Sequence, residues 1–461
     1  MKSKWFSLVS ILLVAIMLIS ACGATEEPAE PTEAVAEPTE AAAEPTEAPP
    51  AEEVTLRVLV HQNPPLAEYM EQFNADFEAA NPGVTVDLST VTPGDMATVI
   101  QTRLSATDVD VIDYCAGSCS GFSNAVQPYM SGVDKPTWQQ LIEANLLMDL
   151  TDEPFVQNFD EASIRDAGTF DGRVYAVNVA RVSYSGMFVN NDLLADVGVA
   201  IPTTWSELVS ACETVVDSGN ECMTVGGGDG WPIFVGTYGL LGAVFPDQEA
   251  LVEGLWTGGI KWNEGKGLEV IEKDQVFAQE MLEQGVTGFS HDEAAVRYTA
   301  GDVAFLPTGV WQAPILDDNA EFDWTYVPFP GSDDPAENQY LFGKYDMSWM
   351  IAADTPHADV AKAYLAALAD PDNYQEFVDI TGYLPTQPTA TLNSKLGQAV
   401  APLLDTYQVG FEQYWVSPKG AGQWANGSQA ASWFTPFNEW TDAKELADQI
   451  QADLEAGLAG E

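Results

Sequence analysis

Thirteen tryptophans and fifteen tyrosines are more aromatic side chains than the core of this chain requires, and several stand in loops that follow apolar runs. A flat ring can stack on the apolar C–H face of a sugar, while planar polar groups satisfy the hydroxyl rim. In open α/β sheets the loops after strands are where ligands sit. The other reactive side chains assemble no machinery. His61, His291 and His357 are the only histidines and are scattered without triad or metal spacing. No G-x-S-x-G or HExxH stretch occurs. Seventy carboxylates could hide a glycosidase pair, which would sit about 5–9.5 Å apart, but no hydrolase motif singles one out. Gly226-Gly227-Gly228 lacks the following Lys-Ser or Lys-Thr of a phosphate loop and reads as a flexible loop. None of these patterns marks an enzyme, a cofactor site or a metal site. A secreted glycoside hydrolase or a passive surface adhesin is the alternative from a different class.

Holding such side chains in place takes folded lobes. The chain has 461 residues, 46% of them hydrophobic, enough for two or three units of about 100–200 residues each. Val54-Thr55-Leu56-Arg57-Val58-Leu59-Val60 is a β-rich run that stops at a loop, His61-Gln62-Asn63-Pro64-Pro65. Leu66, Tyr69, Met70, Phe73 and Phe77 then recur at helical spacing, so residues 66–80 read as a helix. Asn81-Pro82-Gly83 stops it, Val84 to Leu88 starts another strand, and Val109 to Tyr114 reads as a third. This strand–helix–strand rhythm predicts a parallel sheet with right-handed crossovers.

The first 53 residues differ in kind. Lys2 and Lys4 precede an apolar stretch, Trp5 to Ile19, which is too short for the roughly 20 residues of a membrane span and reads as a secretory signal. Ile19-Ser20-Ala21-Cys22 resembles the bacterial lipobox, which implies lipidation of Cys22 and stable anchoring by its acyl chains. Residues 22–53 repeat Glu-Pro-Thr-Glu-Ala at a spacing of seven, with proline and like charge favouring an extended, disordered tether. Four further cysteines allow three pairings. Export and short spacing favour Cys115–Cys119 and Cys212–Cys222 over a zinc site, whose usual C-x2-C spacing is absent.

A specific resemblance runs through the body. Asp171-Gly172-Arg173-Val174-Tyr175-Ala176-Val177, then Phe188-Val189-Asn190-Asn191-Asp192-Leu193-Leu194, then Pro202-Thr203-Thr204-Trp205-Ser206-Glu207-Leu208 occur in that order. They resemble the family-1 extracellular solute-binding proteins of ABC importers, the maltose-binding-protein-like group. Gly301-Asp302-Val303-Ala304-Phe305, Gly309-Val310-Trp311, Tyr326 to Gly331 and Gly382-Tyr383-Leu384-Pro385-Thr386 continue the resemblance, which spans roughly residues 54–400. Thr203 or Thr204 can cap a helix there, with Glu207 completing a capping box. The C-terminal 60 residues depart from the pattern, with Trp415, Trp424, Trp433 and Trp440 in a polar setting.

The resemblance implies an α/β, two-lobed periplasmic-binding-protein-like fold (type II), with helices flanking central sheets and a ligand cleft between the lobes. Residues 54–180 and 328–382 are expected in the N-terminal lobe, and 181–327 and 383–461 in the C-terminal lobe. Crossings are expected near Val179–Tyr184, Trp324–Pro330 and Thr381–Pro385. The implied function is capture of a carbohydrate, an oligosaccharide in particular, by hinge closure and its delivery to the transmembrane subunits of an ABC transporter. A cationic solute such as a polyamine is the runner-up ligand. A monomer, lipid-anchored on the outer face of the bacterial cytoplasmic membrane, is expected. By the same resemblance, Tyr114, Asp229, Trp231, Trp311 and Trp433 stand where relatives place ligand-contacting aromatics and acids. His61 follows the first strand at a cleft position, Arg181 and Tyr184 flank the first crossing, and Asp346 and Tyr383 lie near inter-lobe segments.

Charge narrows the partners further. Against 70 acids stand 17 basic residues, a formal charge of −53, and no run of Lys or Arg offers a nucleic acid a foothold. The tether carries −10 and the leader lysines +2, which leaves −45 on residues 54–461. The acidity belongs mainly to the folded body and suits a solvated, exposed surface.

Overall fold

The computed structural model describes residues 53–115 and 122–460. The expected leader, the tether, Cys22 and Cys119 lie outside the described residues. Among the described residues no helix is long and apolar enough to cross a membrane.

β1 (Val54–His61) gives way to α1 (Pro64–Ala80) because Asn63 caps it, its side chain accepting from the Leu66 N–H at 3.0 Å. Prolines in the first turn sacrifice only N–H groups that have no helical partner. Leu66, Tyr69, Met70, Phe73 and Phe77 form the buried stripe of that helix. β2 (Val84–Val91) returns parallel to β1, and after α2 (Pro93–Ser105) β3 (Val111–Tyr114) pairs parallel on the other side of β1. α3 (Thr137–Glu143), α4 (Glu161–Ala167) and the small hairpin β4 (Thr169–Phe170)–β5 (Arg173–Val174) precede β6 (Val177–Ser183).

Two residues after β6 the chain enters a different sheet at β7 (Gly186–Asn190). Around that sheet lie α5 (Asn191–Val197), α6 (Trp205–Asp217), β8 (Glu221–Met223), α7 (Trp231–Val244), α8 (Gln248–Thr257) and α9 (Gly265–Val276). α10 (His291–Tyr298), β9 (Val303–Pro307), α11 (Ala313–Asn319) and β10 (Trp324–Pro328) complete it. The chain then returns through β11 (Phe342–Ile351), α12 (Ala358–Leu368), α13 (Pro371–Thr381) and β12 (Leu384–Pro385). α14 (Lys395–Val400), β13 (Gln408–Val409) and α15 (Ala443–Ala459) follow.

The larger sheet has the order β12-β6-β11-β3-β1-β2, with β13 also on β11; the smaller has the order β10-β7-β9-β8. β1, β2 and β3 pair in parallel as the rhythm predicts, but the larger sheet as a whole is mixed. β11 runs antiparallel to both β3 and β6 because it comes back from the smaller sheet and enters at the end where β3 and β6 finish. Residues 181–183 and 384–385, expected within the crossings and counted with the C-terminal lobe, are strand residues of the larger sheet.

α7 is seated against the crossings by small residues. A Cβ on Gly239 would fall 2.2 Å from the Ser185 carbonyl oxygen, and one on Gly242 would fall 2.2 Å from the Phe342 ring. Only glycine allows this approach. Thr204 accepts from the Glu207 N–H to cap α6, while the Glu207 carboxylate accepts from the N–H and hydroxyl of Thr203, so the box closes one residue upstream of the cap. A disulfide joins Cys212 of α6 to Cys222 of β8, with Cα atoms 4.9 Å apart, as the spacing predicts. The expected Cys115–Cys119 bridge involves a residue outside the described set. The C-terminal tryptophans are packing groups: Trp424 meets Trp433 and Trp440 edge-on at 5.1 and 5.9 Å, and Phe411 stacks on Trp415 at 5.3 Å. They belong to the core that α7, α9 and α15 share.

Candidate ligand-binding site

Three aromatic rings converge where the smaller sheet's connections end. Trp231 opens α7, His291 opens α10, and Trp311 follows β9. Trp231 lies 5.0 Å from His291 and 6.0 Å from Trp311, centroid to centroid, and 37% of Trp231 remains exposed. Asp229 is the rim acid, its Oδ2 accepting from the His291 N–H at 2.7 Å. The three glycines before it are not the flexible loop expected. A Cβ on Gly226 would fall 2.5 Å from His291 Cα, and one on Gly228 would fall 2.8 Å from the Phe289 oxygen, so the turn is close-packed on the segment that delivers His291. Trp311 Nε1 and Gln312 Oε1 are buried without hydrogen-bond partners among the described residues. Each such group costs about 1–3 kcal/mol until something satisfies it.

A second group is polar and buried at the end of the larger sheet. His61 finishes β1 with Nδ1 2.5 Å from Asp113 Oδ2 on β3. On β11, Lys344 Nζ stands 3.3 Å from Asp346 Oδ2. Met347, next in the strand, holds a φ of 54°, a region that side chains with a Cβ rarely occupy, and Asp346 Oδ1 accepts its N–H at 2.8 Å. The Asn63 amide donates to the Tyr383 hydroxyl at 2.7 Å. Burial opposes charge on His61, yet the facing Asp113, helped by Asp346, holds its imidazolium above the ordinary value. Burial and the charges of Asp346 and Asp113 push the Tyr383 hydroxyl well above the usual tyrosine range. At His291 burial prevails instead and lowers the imidazole against Asp292 and Asp229. Beside Tyr383, a Cβ on Gly382 would lie 3.7 Å from Pro314 Cγ, three residues after Trp311.

The remaining sequence-derived candidates have other surroundings. Tyr114 is buried in the α2–α3 core, and its hydroxyl accepts from the Trp138 N–H at 3.1 Å. Arg181 donates to the Pro385 carbonyl at 3.0 Å and to Asp160 at 3.3 Å, tying β6 to β12 and to the cap of α4. Tyr184 is buried beside Tyr238, 5.2 Å between centroids, and donates to the Gly343 carbonyl. Trp433 packs in the C-terminal core. Sequence reasoning missed His291, Asp113 and Glu412. The Ser290–Glu293 capping box was a legible signal for the start of α10, but nothing in the sequence aims His291 at two tryptophans. Glu412 faces Tyr184 and Tyr238, and burial, opposed by Lys344, pushes its carboxyl up to about 7.

Half-exposed aromatic faces rimmed by an acid and a neutral-leaning imidazole suit a flat polar ligand. Among the described residues no cluster of three or more potential metal ligands occurs. The fold and this site define a two-lobed solute-binding protein. Residues 63–375 match the profile of the bacterial extracellular solute-binding protein family, and the chain belongs to that family. It is 22% identical over 315 residues to a multiple sugar-binding protein of Streptococcus mutans, covering 67% of this chain and 69% of that one. Among solved structures it is similar to the solute-binding protein RafE in complex with raffinose, with a TM-score of 0.70, 19% identity and coverage of 88% of this chain and 100% of RafE. It is also similar to a chitin oligosaccharide binding protein, with a TM-score of 0.68, 20% identity and coverage of 88% and 99%.

Proposed function

We propose that this protein captures a carbohydrate, an oligosaccharide in particular, and hands it to the transmembrane subunits of an ABC importer. The observation that carries the reading is the convergence of Trp231, His291 and Trp311 with Asp229 at their rim. Indole faces stack on sugar C–H faces, and the rim groups take up hydroxyls. The sugar-binding relatives support the same class of solute. One lobe is built on the larger sheet and the other on the smaller, with crossings after Ser183 and after Pro328. Ligand that touches both lobes only in the closed state shifts the hinge equilibrium towards closure. His61, Asp346 and Tyr383 supply the larger-sheet side of the cleft. Lipidation at Cys22 anchors the monomer outside the cytoplasmic membrane, and the acidic tether holds the body away from it. No chemistry is performed on the solute.

A thermal-shift panel of raffinose, stachyose, chito-oligosaccharides and polyamines tests the reading. One or more of the sugars should raise the melting temperature in a saturable way. If no small solute does so and a polysaccharide is cleaved, the protein is a hydrolase instead.

A further inference from the structure

β3 reads Val111-Ile112-Asp113-Tyr114, and all four residues are buried. Val111 packs in one hydrophobic core and Ile112 and Tyr114 in another, so a carboxylate stands where an apolar side chain would pack without electrostatic cost. Asp113 is 0% exposed, and its Oδ1 has no hydrogen-bond partner among the described residues. An unsatisfied buried oxygen lowers stability, so core packing alone gives no reason for an aspartate here.

The other oxygen has a partner. Asp113 Oδ2 lies 2.5 Å from His61 Nδ1, and the His61 side chain is itself 5% exposed. That contact commits Nδ1 and fixes the ring, which leaves Nε2 as the nitrogen that makes no hydrogen bond among the described residues. We propose that Asp113 is a positioning residue for sugar capture, holding His61 so that its Nε2 donates a hydrogen bond to a neutral hydroxyl or ring oxygen of the solute. This role rests on the carbohydrate reading above and deepens it, because it makes capture depend on the proton carried by one side chain.

The charges that face His61 favour the donor form. On β11 both oxygens of Asp346 are engaged, Oδ1 by the Met347 N–H at 2.8 Å and Oδ2 by Lys344 Nζ at 3.3 Å. Lys344 and Asp346 thus form one ion pair, and His61 and Asp113 the other. Beside them the Tyr383 hydroxyl accepts from Asn63 at 2.7 Å and is kept neutral by burial and by the charges of Asp346 and Asp113. Burial opposes the imidazolium, as does Lys344, but Asp113 and Asp346 outweigh them and hold the ring above the ordinary histidine value. When the ring does lose a proton, the one against Asp113 stays on Nδ1 and Nε2 turns from donor to acceptor. Sugar affinity should therefore be full while the ring is charged and fall as pH rises through the raised value.

Two measurements test this. Nuclear magnetic resonance of the histidine rings in the ligand-free protein, with His61 assigned by its loss in His61→Gln, should show that ring charged to a pH above the ordinary value. Asp113→Asn should move its titration to lower pH. Calorimetric titration with raffinose, stachyose and a chito-oligosaccharide at pH 6 and pH 9 should then show several-fold weaker binding at the higher pH. His61→Gln, whose amide donates at any pH, should bind more weakly than the parent at pH 6 but without that dependence. Asp113→Asn should shift the fall to lower pH, whereas loss of a merely structural contact would weaken binding equally at every pH. Glu412→Gln removes another group that titrates near neutrality and should leave the profile as it is. An ordinary or lowered His61 titration in the ligand-free protein overturns the proposal, and so does sugar affinity that is flat with pH in the parent. If none of the three sugars binds at either pH while His61 titrates as expected, the carbohydrate reading itself fails, and this role with it.

Discussion

Trp311 is the side chain on which most depends, because it packs against both of the larger hydrophobic cores while one edge faces Trp231 and His291. Trp311→Ala should weaken sugar binding by tenfold or more in calorimetry, with a far-UV circular dichroism spectrum like that of the parent; unchanged affinity would remove it from the site. Glu412 makes a different kind of prediction. Its carboxyl holds a proton up to about pH 7 in the folded protein, against an ordinary value of 4.5. A raised carboxyl means that the native state binds protons more tightly than the unfolded chain. That contribution to stability is complete below about pH 4.5 and fades as pH rises through 7. Glu412→Gln should therefore melt higher than the parent at pH 8 and close to it at pH 5. A gap that does not widen with pH would show that the group does not titrate in this way. At this scale Trp231, Trp311 and Asp229 were singled out by their match to family motifs, and the structure sets the two rings 6.0 Å apart with Asp229 on the His291 N–H. His291 was not, because a histidine at a helix start carries no trace in sequence of the rings it will meet.

Elements set the positions of those side chains. Asn63, Thr204 and Ser290 each end a loop by satisfying an N–H of the first helical turn, and each is readable as a local signal. α7 is less readable, since it is apolar all round and its glycines look like defects in a helix. Their reason is tertiary, the approach of Ser185 and Phe342. Gly239→Ala should lower stability by about 1–3 kcal/mol in urea denaturation, as overpacking does; a neutral result would mean that α7 can move away from the crossing. The Cys212–Cys222 bridge closes a ten-residue separation between α6 and β8. Reduction, or Cys212→Ser with Cys222→Ser, should cost about 2–3 kcal/mol and lower the melting temperature accordingly. An unchanged melting temperature would show that packing between the two elements suffices.

For the whole molecule the consequence is motion. Two sheets joined by crossings at residues 184–185 and 329–341 leave the hinge angle as the soft coordinate, and a ligand gripped from both sides would narrow it. Small-angle scattering should show a smaller radius of gyration with saturating sugar than without, and Trp311→Ala should lose that change. Identical profiles with and without ligand would argue against closure. What the sequence by itself determined is local and periodic: the first strands and helix, their caps, the cysteine pair at short spacing, the charge of the body and the ordered motifs of the family. These depend on near neighbours in the chain, where spacing is geometry. The reversal of β11, the seat of α7, the use of the C-terminal tryptophans as core and the placing of His291 were decided only by the tertiary structure. Each depends on segments tens to hundreds of residues apart competing for the same space, and sequence spacing carries no record of that competition.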